Sequence, residues 1–388
     1  MKAAVIGGKL QGVEAAWLAH RANWAVLAVD RNENAPVRGL ADVFYSFDIF
    51  ESDKLAQLIH HADIVIPAIE NSPALDFIYR TARELGKPVL FDPAAYELSS
   101  SKLRSDAFFL LHNIPAPRKW PGCDFPLIAK PSGLSGSHGV QKLHTIEGLN
   151  ALKTRQNGDL QQWVLQEFVD GPSYSIEIMA NKGICRTFQV TELEMDDVYD
   201  CKRVLAPAGL SPRLLQAFSD CAVKLARAIR LDGIMDVEVI RQGDVLKVLE
   251  IDARLPSQTP TAVLLSSGIN MLSVWADGLT DGNSAEYTMV QPCAHVLYEH
   301  ILVTPDRVMV AGEHIMAGRG PLHSCQKFFG ADEAITNYQP QLRQPEWVAT
   351  LLLTASSRAE VRAKEQAVIQ RIMKEVGAVC YEDPKPAV

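Results

Sequence analysis

Two apolar runs separated by a single turn constrain this chain more than any other feature. In Gly233-Ile234-Met235-Asp236-Val237-Glu238-Val239 the acids stand two apart. After Gln242-Gly243-Asp244, the run Val248-Leu249-Glu250-Ile251-Asp252-Ala253-Arg254 repeats that spacing. Side chains alternate across a strand, so each pair of acids shares a face, and the apolar residues between them face a core. A glycine-containing turn joining such runs predicts an antiparallel hairpin in which four carboxylates converge. Like charges at that density repel unless a cation bridges them, and Mg2+ held by carboxylates and nucleotide phosphates is an economical solution. The other reading is a solvated polar sheet face, and the pattern alone leaves both standing.

A second feature lies upstream. Phe125-Pro126-Leu127-Ile128-Ala129-Lys130-Pro131 is an apolar strand ending in a lysine, followed at once by Ser132-Gly133-Leu134-Ser135-Gly136-Ser137-His138-Gly139. An ammonium beside a loop rich in small residues suits phosphate, because the charge is neutralised while backbone N–H groups wrap the oxygens. It is not a Walker loop, since no Gly-Lys-Ser/Thr closes it. A lysine snorkelling before a surface loop is the alternative. Further on, Gln166-Glu167-Phe168-Val169-Asp170-Gly171-Pro172 ends a strand in a turn able to present backbone groups and an apolar wall to an adenine, and Glu177 follows on the next strand.

The first 92 residues alternate short apolar runs (Ala3 to Ile6, Ala25 to Val29, Asp63 to Pro67, Pro88 to Phe91) with helical patterns at Gln11 to His20 and Ser72 to Leu85. That order predicts a parallel sheet covered on both faces, a small Rossmann-like domain. Gly7-Gly8-Lys9-Leu10-Gln11-Gly12, with Asp30 closing the next strand, superficially matches a dinucleotide fingerprint. Lys9, however, stands where a second glycine lets the backbone approach a pyrophosphate. An anion site made of a helix N-terminus and Lys9, open to a substrate carboxylate or a phosphate, is the reading favoured over NAD binding.

A chain of 388 residues with 47% apolar and 22% charged residues predicts two or three packed domains. Ile114-Pro115-Ala116-Pro117 breaks the helix expected over Ser101 to Asn113. We place the limits at 1–98 for the Rossmann-like domain, 99–290 for an α+β domain and 291–388 for a C-terminal domain. The last domain should end in a helix capped by Ser357 with Glu360 in a capping box. The formal net charge of −8 argues against duplex nucleic acid as partner. No apolar run is long enough to span a bilayer, and Met1 to Gly8 lacks the form of a signal peptide. Seven scattered cysteines without a CxxC fit a reducing cytoplasm. Small polar substrates are the expected partners, with a homodimer left open.

Lys102, Lys130 with its loop, the Gln166 to Val169 hinge and Glu250-x-Asp252-x-Arg254 resemble the ATP-grasp superfamily in order and spacing over about residues 102–278. The runs Gly7 to Gly12, Tyr199-Asp200-Cys201, Leu249 to Pro260, Tyr298-Glu299-His300 and Gly312-Glu313-His314-Ile315-Met316 are similar to the ligases that join 3-methylornithine to lysine in pyrrolysine biosynthesis. The resemblance implies a Rossmann-like pre-ATP-grasp domain, an ATP-grasp domain and a small C-terminal α/β domain. It implies an ATP- and Mg2+-dependent carboxylate–amine ligase working through an acyl phosphate.

On that basis Lys102 and Lys130 would hold phosphates, with Ser132, Gly133, Ser135, Gly136 and Ser137 closing over them. Gln166, Glu167, Phe168 and Val169 would frame the adenine, with Glu177 beside the nucleotide. Glu238, Glu250 and Asp252, joined by Asp236, would hold the metal, and Arg254 would steady the acyl phosphate. Ser175, Glu177, Asp200, Ser257, Gln258 and Thr259 are the candidates for the acid substrate. Lys9, Leu10, Gln11 and Glu70 are the candidates for the amine. Asp252 stands where many ATP-grasp enzymes carry Asn, and His138 replaces a small apolar residue. No general base is evident from sequence.

Overall fold

The computed structural model describes residues 1–134, 136–278, 292–342 and 344–386. Ser135 and the 290/291 limit therefore lie outside the described residues. The first sheet contains β1 (Lys2–Ile6), β2 (Ala25–Val29), β3 (Val43–Tyr45) and β4 (Ile64–Pro67), all parallel, in the order β3-β2-β1-β4. Ala3, Val5, Val26 and Ala28 pack on α1 (Leu10–Arg21). Ala4, Ile6, Leu27 and Val29 pack on α2 (Ser52–His60) and α3 (Ser72–Glu84). Burial on both faces is why these strands read as continuous apolar runs. The strand expected over Pro88 to Phe91 shrinks to a single bridge from Val89 to Val65. The chain turns at once into α4 (Pro93–Ser99), capped by the Asp92 carboxylate.

Helix α5 (Lys102–Leu111), capped by Ser101, leads into a separate three-stranded antiparallel sheet. It comprises β5 (Leu127–Pro131), β6 (Gln141–Leu143) and β7 (Trp163–Glu167), with α6 (Ile146–Arg155) placing Leu149 and Leu152 against Leu127 and Ala129.

The remaining strands form one sheet of twelve. It begins with β8 (Ser173–Asn181), β9 (Ile184–Thr187), β10 (Thr191–Met195) and β11 (Cys201–Ala206). Then come α7 (Pro212–Ile229), β12 (Gly233–Gln242), β13 (Val245–Asp252), α8 (Thr259–Ser267), α9 (Met271–Ala276) and β14 (His295–Val303). The chain ends with β15 (Arg307–Val310), α10 (His314–Ala317), β16 (His323–Gln326), β17 (Glu333–Thr336), β18 (Trp347–Ala355), α11 (Arg358–Val376) and β19 (Cys380–Glu382). The main path is β13-β12-β8-β10-β11-β14-β18-β17-β16, so the β11–β14 pairing carries the central sheet directly into the C-terminal strands. Ile176, Ile178, Val237 and Ile251 face α7, whose Leu214, Phe218 and Ala222 complete that core. The acidic residues between them are left on the opposite face.

Ser357 caps α11 by accepting from Glu360 N at 3.2 Å, but the reciprocal half of the expected capping box is displaced. The Glu360 carboxylate turns one residue further back, to the Ser356 N–H and hydroxyl.

Candidate active site

The hairpin register pairs Asp236 with Asp252 and Glu238 with Glu250. On its other edge β12 pairs Asp236 with Glu177 and Glu238 with Ser175. Two parallel rows therefore cross three strands on one face, Glu177–Asp236–Asp252 and Ser175–Glu238–Glu250. The pairing places Glu177 beside the hairpin acids, away from the segment at the end of β7 expected to frame an adenine. Its carboxylate is fully buried and accepts from Ser175 Oγ at 3.3 Å, with Thr259 also beside it.

The register shifts between Glu238 and Val239, because Val239 pairs with Val248 and Leu249 is the extra residue of a bulge. The Leu249 carbonyl accepts from Lys130 Nζ at 3.1 Å. Lys130 itself is buried at the end of β5, and burial pulls its ammonium below the usual lysine range. Lys102 donates to Glu250 Oε1 at 3.1 Å and to the Leu134 carbonyl at 2.6 Å. Both ammonium groups thus bracket the acidic hairpin from the side of the small sheet.

The start of α5 is bolted to the Gly/Ser loop. Ser132 Oγ accepts from Leu103 N at 3.1 Å and lies 3.2 Å from Ser101 Oγ, while the Ser132 carbonyl accepts from Lys102 N. Ser132 therefore fixes the angle between helix and loop. Gly133 and Gly136 line the turn beyond it, and Ser137 Oγ donates to the Tyr199 carbonyl at 2.5 Å, joining the loop to the β10–β11 connection.

At the hinge, Gln166 and Val169 are buried, and Lys142 Nζ lies 3.8 Å from the centre of the Phe168 ring. The Glu167 carboxylate is already engaged by Arg118 N, Arg118 Nε and Lys247 Nζ. Burial alone would raise this carboxyl, but the bonds from Lys247 and Arg118 outweigh it and bring it down to about 2. Its side chain therefore has a structural task, and its backbone groups are not involved in these bonds.

A cavity of about 150 Å³ opens over the acidic rows, lined among others by Ser137, Asp200, Asp236, Arg254, Gln258 and Glu313. It is sized for one small molecule. The unpaired buried polar atoms concentrate here: Glu177 Oε2, Asp236 Oδ1, Asp252 Oδ1, Arg254 Nε, Gln258 Oε1 and Thr259 Oγ1. Orphaned groups at this density mark a site completed by a ligand. A cavity of about 820 Å³ on the other side of β10 and β11 is larger, but its Glu194, Arg203, Arg362 and Glu365 are paired with one another. The smaller cavity is therefore the candidate reaction site.

Arg254 joins the site to the first domain. Its NH2 group pairs with Asp252 at 2.8 Å and with Glu70 at 2.5 Å, and Glu70 also accepts from Gln11 Nε2 at 3.1 Å. Gln11, Glu70 and Arg254 are thus brought together as a chain, with Leu10 packed behind them and Lys9 exposed at the start of α1. The Asp30 carboxylate accepts from Gly8 N at 2.7 Å and Asn32 N at 2.8 Å, which closes the turn that a dinucleotide would enter.

Ser257 Oγ and Gln258 Nε2 both donate to Glu313 Oε2, at 2.6 and 3.1 Å. Gln258 holds this position with φ +73°, a strained backbone at the N-cap of α8. Asp200 accepts from Cys201 N, His314 N and His314 Nδ1. Gly312 allows the approach, since a β-carbon there would sit 2.3 Å from Asp200 Oδ2. Glu313 was not among the site residues expected from sequence. It arrives on the segment after β15, far along the chain from the hairpin, and a lone acid in a short loop carries no periodic signal.

The acidic rows fit a divalent cation. Burial, then Asp252 and Glu238, holds Asp236 well above the usual carboxylate range. Burial and Glu250 push Glu238 to about 7, and burial lifts Asp252 to about 6 against the pull of Arg254. Carboxyls raised in the fold favour the folded state while protonated, and this contribution is lost as pH rises through about 6 to 7. A cation reverses the balance by stabilising the ionised form. The rise in melting temperature on adding Mg2+ and ADP should therefore be largest above pH about 7 and shrink below about 6. Differential scanning fluorimetry across that range tests this, and a shift independent of pH would contradict it.

A family model for the ATP-grasp domain matches residues 99–258. The 3-methyl-D-ornithine–L-lysine ligase of Methanosarcina barkeri is 32% identical over 377 residues, covering 97% of this chain and 98% of its own length. That of Methanosarcina mazei is 35% identical over 315 residues, covering 81% of each. Among solved structures, an N5-carboxyaminoimidazole ribonucleotide synthetase in complex with ADP superposes with a TM-score of 0.70 at 13% identity, over 97% of both chains. An L-amino acid ligase from Bacillus licheniformis superposes with a TM-score of 0.66 at 16% identity, over 95% of this chain and 97% of its own.

Proposed function

We propose, since this chain belongs to the ATP-grasp superfamily and to the family of the 3-methyl-D-ornithine–L-lysine ligases, that it joins the carboxylate of 3-methyl-D-ornithine, or of D-ornithine, to the ε-amine of L-lysine. The observation that carries this choice of substrates is the acidic surplus of the reaction cavity. Asp200, Asp236, Glu238, Glu250, Asp252 and Glu313 line it together with a single cationic side chain, Arg254. Part of that surplus matches a metal, and the remainder matches reactants that each carry ammonium groups.

A carboxylate is a poor electrophile, and conversion to an acyl phosphate gives one of its oxygens a leaving group. In this reading Lys102 and Lys130 neutralise the phosphates as the carboxylate attacks the γ-phosphorus and ADP leaves; the ε-amine of lysine then attacks the acyl carbon, expelling inorganic phosphate and giving up a proton. Glu238, Glu250 and Asp252, with Asp236 beside them, would hold Mg2+, which supplies further charge neutralisation at the phosphates. Arg254 offers its free Nε to the oxygens of the activated group. Glu313, Asp200 and Glu177 meet ammonium groups of the acid substrate, while Gln11 and Glu70 at the first-domain edge receive lysine. The Ser137–Tyr199 contact lowers the loop over the cavity and limits the access of water to the acyl phosphate.

Among the described residues no helix is long and apolar enough to cross a membrane. A cytoplasmic location is proposed with the free cysteines as support. A homodimer is proposed by analogy with a structural neighbour whose biotin carboxylase domain is described as a dimer.

The test is a reaction of the purified protein with ATP, Mg2+, L-lysine and D-ornithine carrying heavy oxygen in its carboxylate. Mass spectrometry should find the isopeptide and one heavy oxygen in each phosphate released. Unlabelled phosphate would rule out activation through an acyl phosphate. Turnover only with a different acid and amine would overturn the substrate assignment.

A further inference from the structure

The face of the sheet opposite the reaction cavity carries an ion network outside the machinery described so far. Glu194 of β10, Arg203 of β11 and Glu299 of β14 form one cross-strand row. Arg203 is buried, and its guanidinium meets Glu194, Glu299, Glu365 of α11 and Asp383. Arg362 adds a second cation between Glu194 and Glu365. Next to Arg203, Lys202 is only 1% exposed, and its Nζ donates to Asp383 Oδ1 at 2.6 Å and to the Pro384 carbonyl. Asp383 is the carboxylate that Lys202 meets among the described residues. Burial pushes Glu299 up against the pull of Arg203. Four carboxylates face three cations, and Asp383 is the carboxylate supplied by the segment after β19.

These residues share a backbone with the reaction cavity. Met195 ends β10 and lines both cavities, while Cys201 begins β11, lines the reaction cavity and immediately precedes Lys202. The connection between them carries Tyr199, which holds the phosphate loop through Ser137, and Asp200, which lies against Gly312. The segment after α11 is fixed in turn, because β19 pairs with β15 before Asp383 crosses to Lys202 and Arg203.

We propose that the C-terminal segment 380–386 is a strap that holds the β10–β11 hairpin in place, and that Asp383 is a positioning residue for ligation acting through Lys202 and Arg203 on Tyr199 and Asp200. A buried lysine without its carboxylate must move toward water. Its strand moves with it, and the wall of the reaction cavity loosens. The kinetic half of the inference rests on the ligase reading, whereas the structural half does not.

The test compares wild type, Asp383→Ala, Asp383→Glu and the double variant Lys202→Met with Asp383→Leu. Hydrogen exchange is measured on the free protein, and KM is measured separately for ATP, D-ornithine and L-lysine. In Asp383→Ala the amides of Val198, Asp200 and Cys201 should exchange about tenfold faster, while the β12–β13 hairpin is unchanged. KM for the amino acids should rise several-fold with KM for ATP unaltered. Asp383→Glu should restore most of the protection. The double variant, with no buried ammonium driven toward water, should regain thermal stability and bring the amino-acid KM back toward the wild-type value. Unchanged exchange over 196–201, or a uniform increase across the whole chain, would overturn the strap. A wild type that forms no isopeptide would sink the ligase reading and leave the exchange result to decide the strap by itself.

Discussion

Replacing Glu250 by glutamine is expected to lower ligation by about 10²–10³-fold while leaving the protein folded. Glu250 faces Glu238 across the hairpin and accepts from Lys102 at 3.1 Å, so it stands between the acidic rows and the first of the two phosphate-side lysines. The amide keeps the shape and removes one charge from a crowded set. Two opposing consequences follow. The repulsion that raises Glu238 is relieved, so the metal-free variant should melt no lower than wild type. The same change removes an anionic ligand, so any residual phosphate release should need a higher Mg2+ concentration. Thermal melting without metal measures the first effect, and steady-state phosphate release across a Mg2+ titration measures the second. Near-normal turnover in the folded variant would remove Glu250 from the metal site.

Arg254→Lys is expected to reduce kcat by about 10²-fold with a much smaller change in KM for ATP. The guanidinium bridges Asp252 and Glu70 with one nitrogen, donates to the Leu255 carbonyl with another, and leaves Nε unpaired in a buried position. A lysine is a single point charge on a flexible stem and cannot hold three directions at once. The expected loss lies in the chemical step, because in the proposed site Lys102, Lys130 and the hinge, on the other side of the acidic rows, would make the nucleotide contacts. Rapid-quench measurement of phosphate release with saturating ATP separates the two. An equal rise in KM for ATP would place Arg254 with the nucleotide instead.

The hairpin was legible in sequence because three independent signals agree there: period-two alternation, a glycine turn and paired acids. The pairing of the acids needs the extra residue Leu249, because the register set at the turn would place Glu238 opposite Leu249, and no local pattern announces that bulge. The parallel sheet of the first domain was legible for a similar reason, its strands being apolar on both faces.

Other parts of the site depend on contacts between distant segments, and no local pattern encodes those. Glu177 reads as one acid on an ordinary strand, and only the β8–β12 pairing places it beside Asp236. That the Glu167 carboxylate is held by Arg118 and Lys247 is equally absent from the local pattern. Ser132 reads as a phosphate ligand until Leu103 N and Ser101 are found at its hydroxyl. Glu313 and Asp383 come from the C-terminal strands, whose attachment to the central sheet through β11 and β14 is invisible in the order of elements.

The measurement that tests the central claim most directly is anomalous diffraction from a crystal grown with Mn2+ and ADP. The account predicts an ion at about 2.2 Å from carboxylate oxygens of Glu238, Glu250 and Asp252. It further predicts that the ion bridges to a nucleotide phosphate which Lys102 and Lys130 also touch. Nucleotide bound elsewhere, with the acidic rows holding no ion, would contradict it.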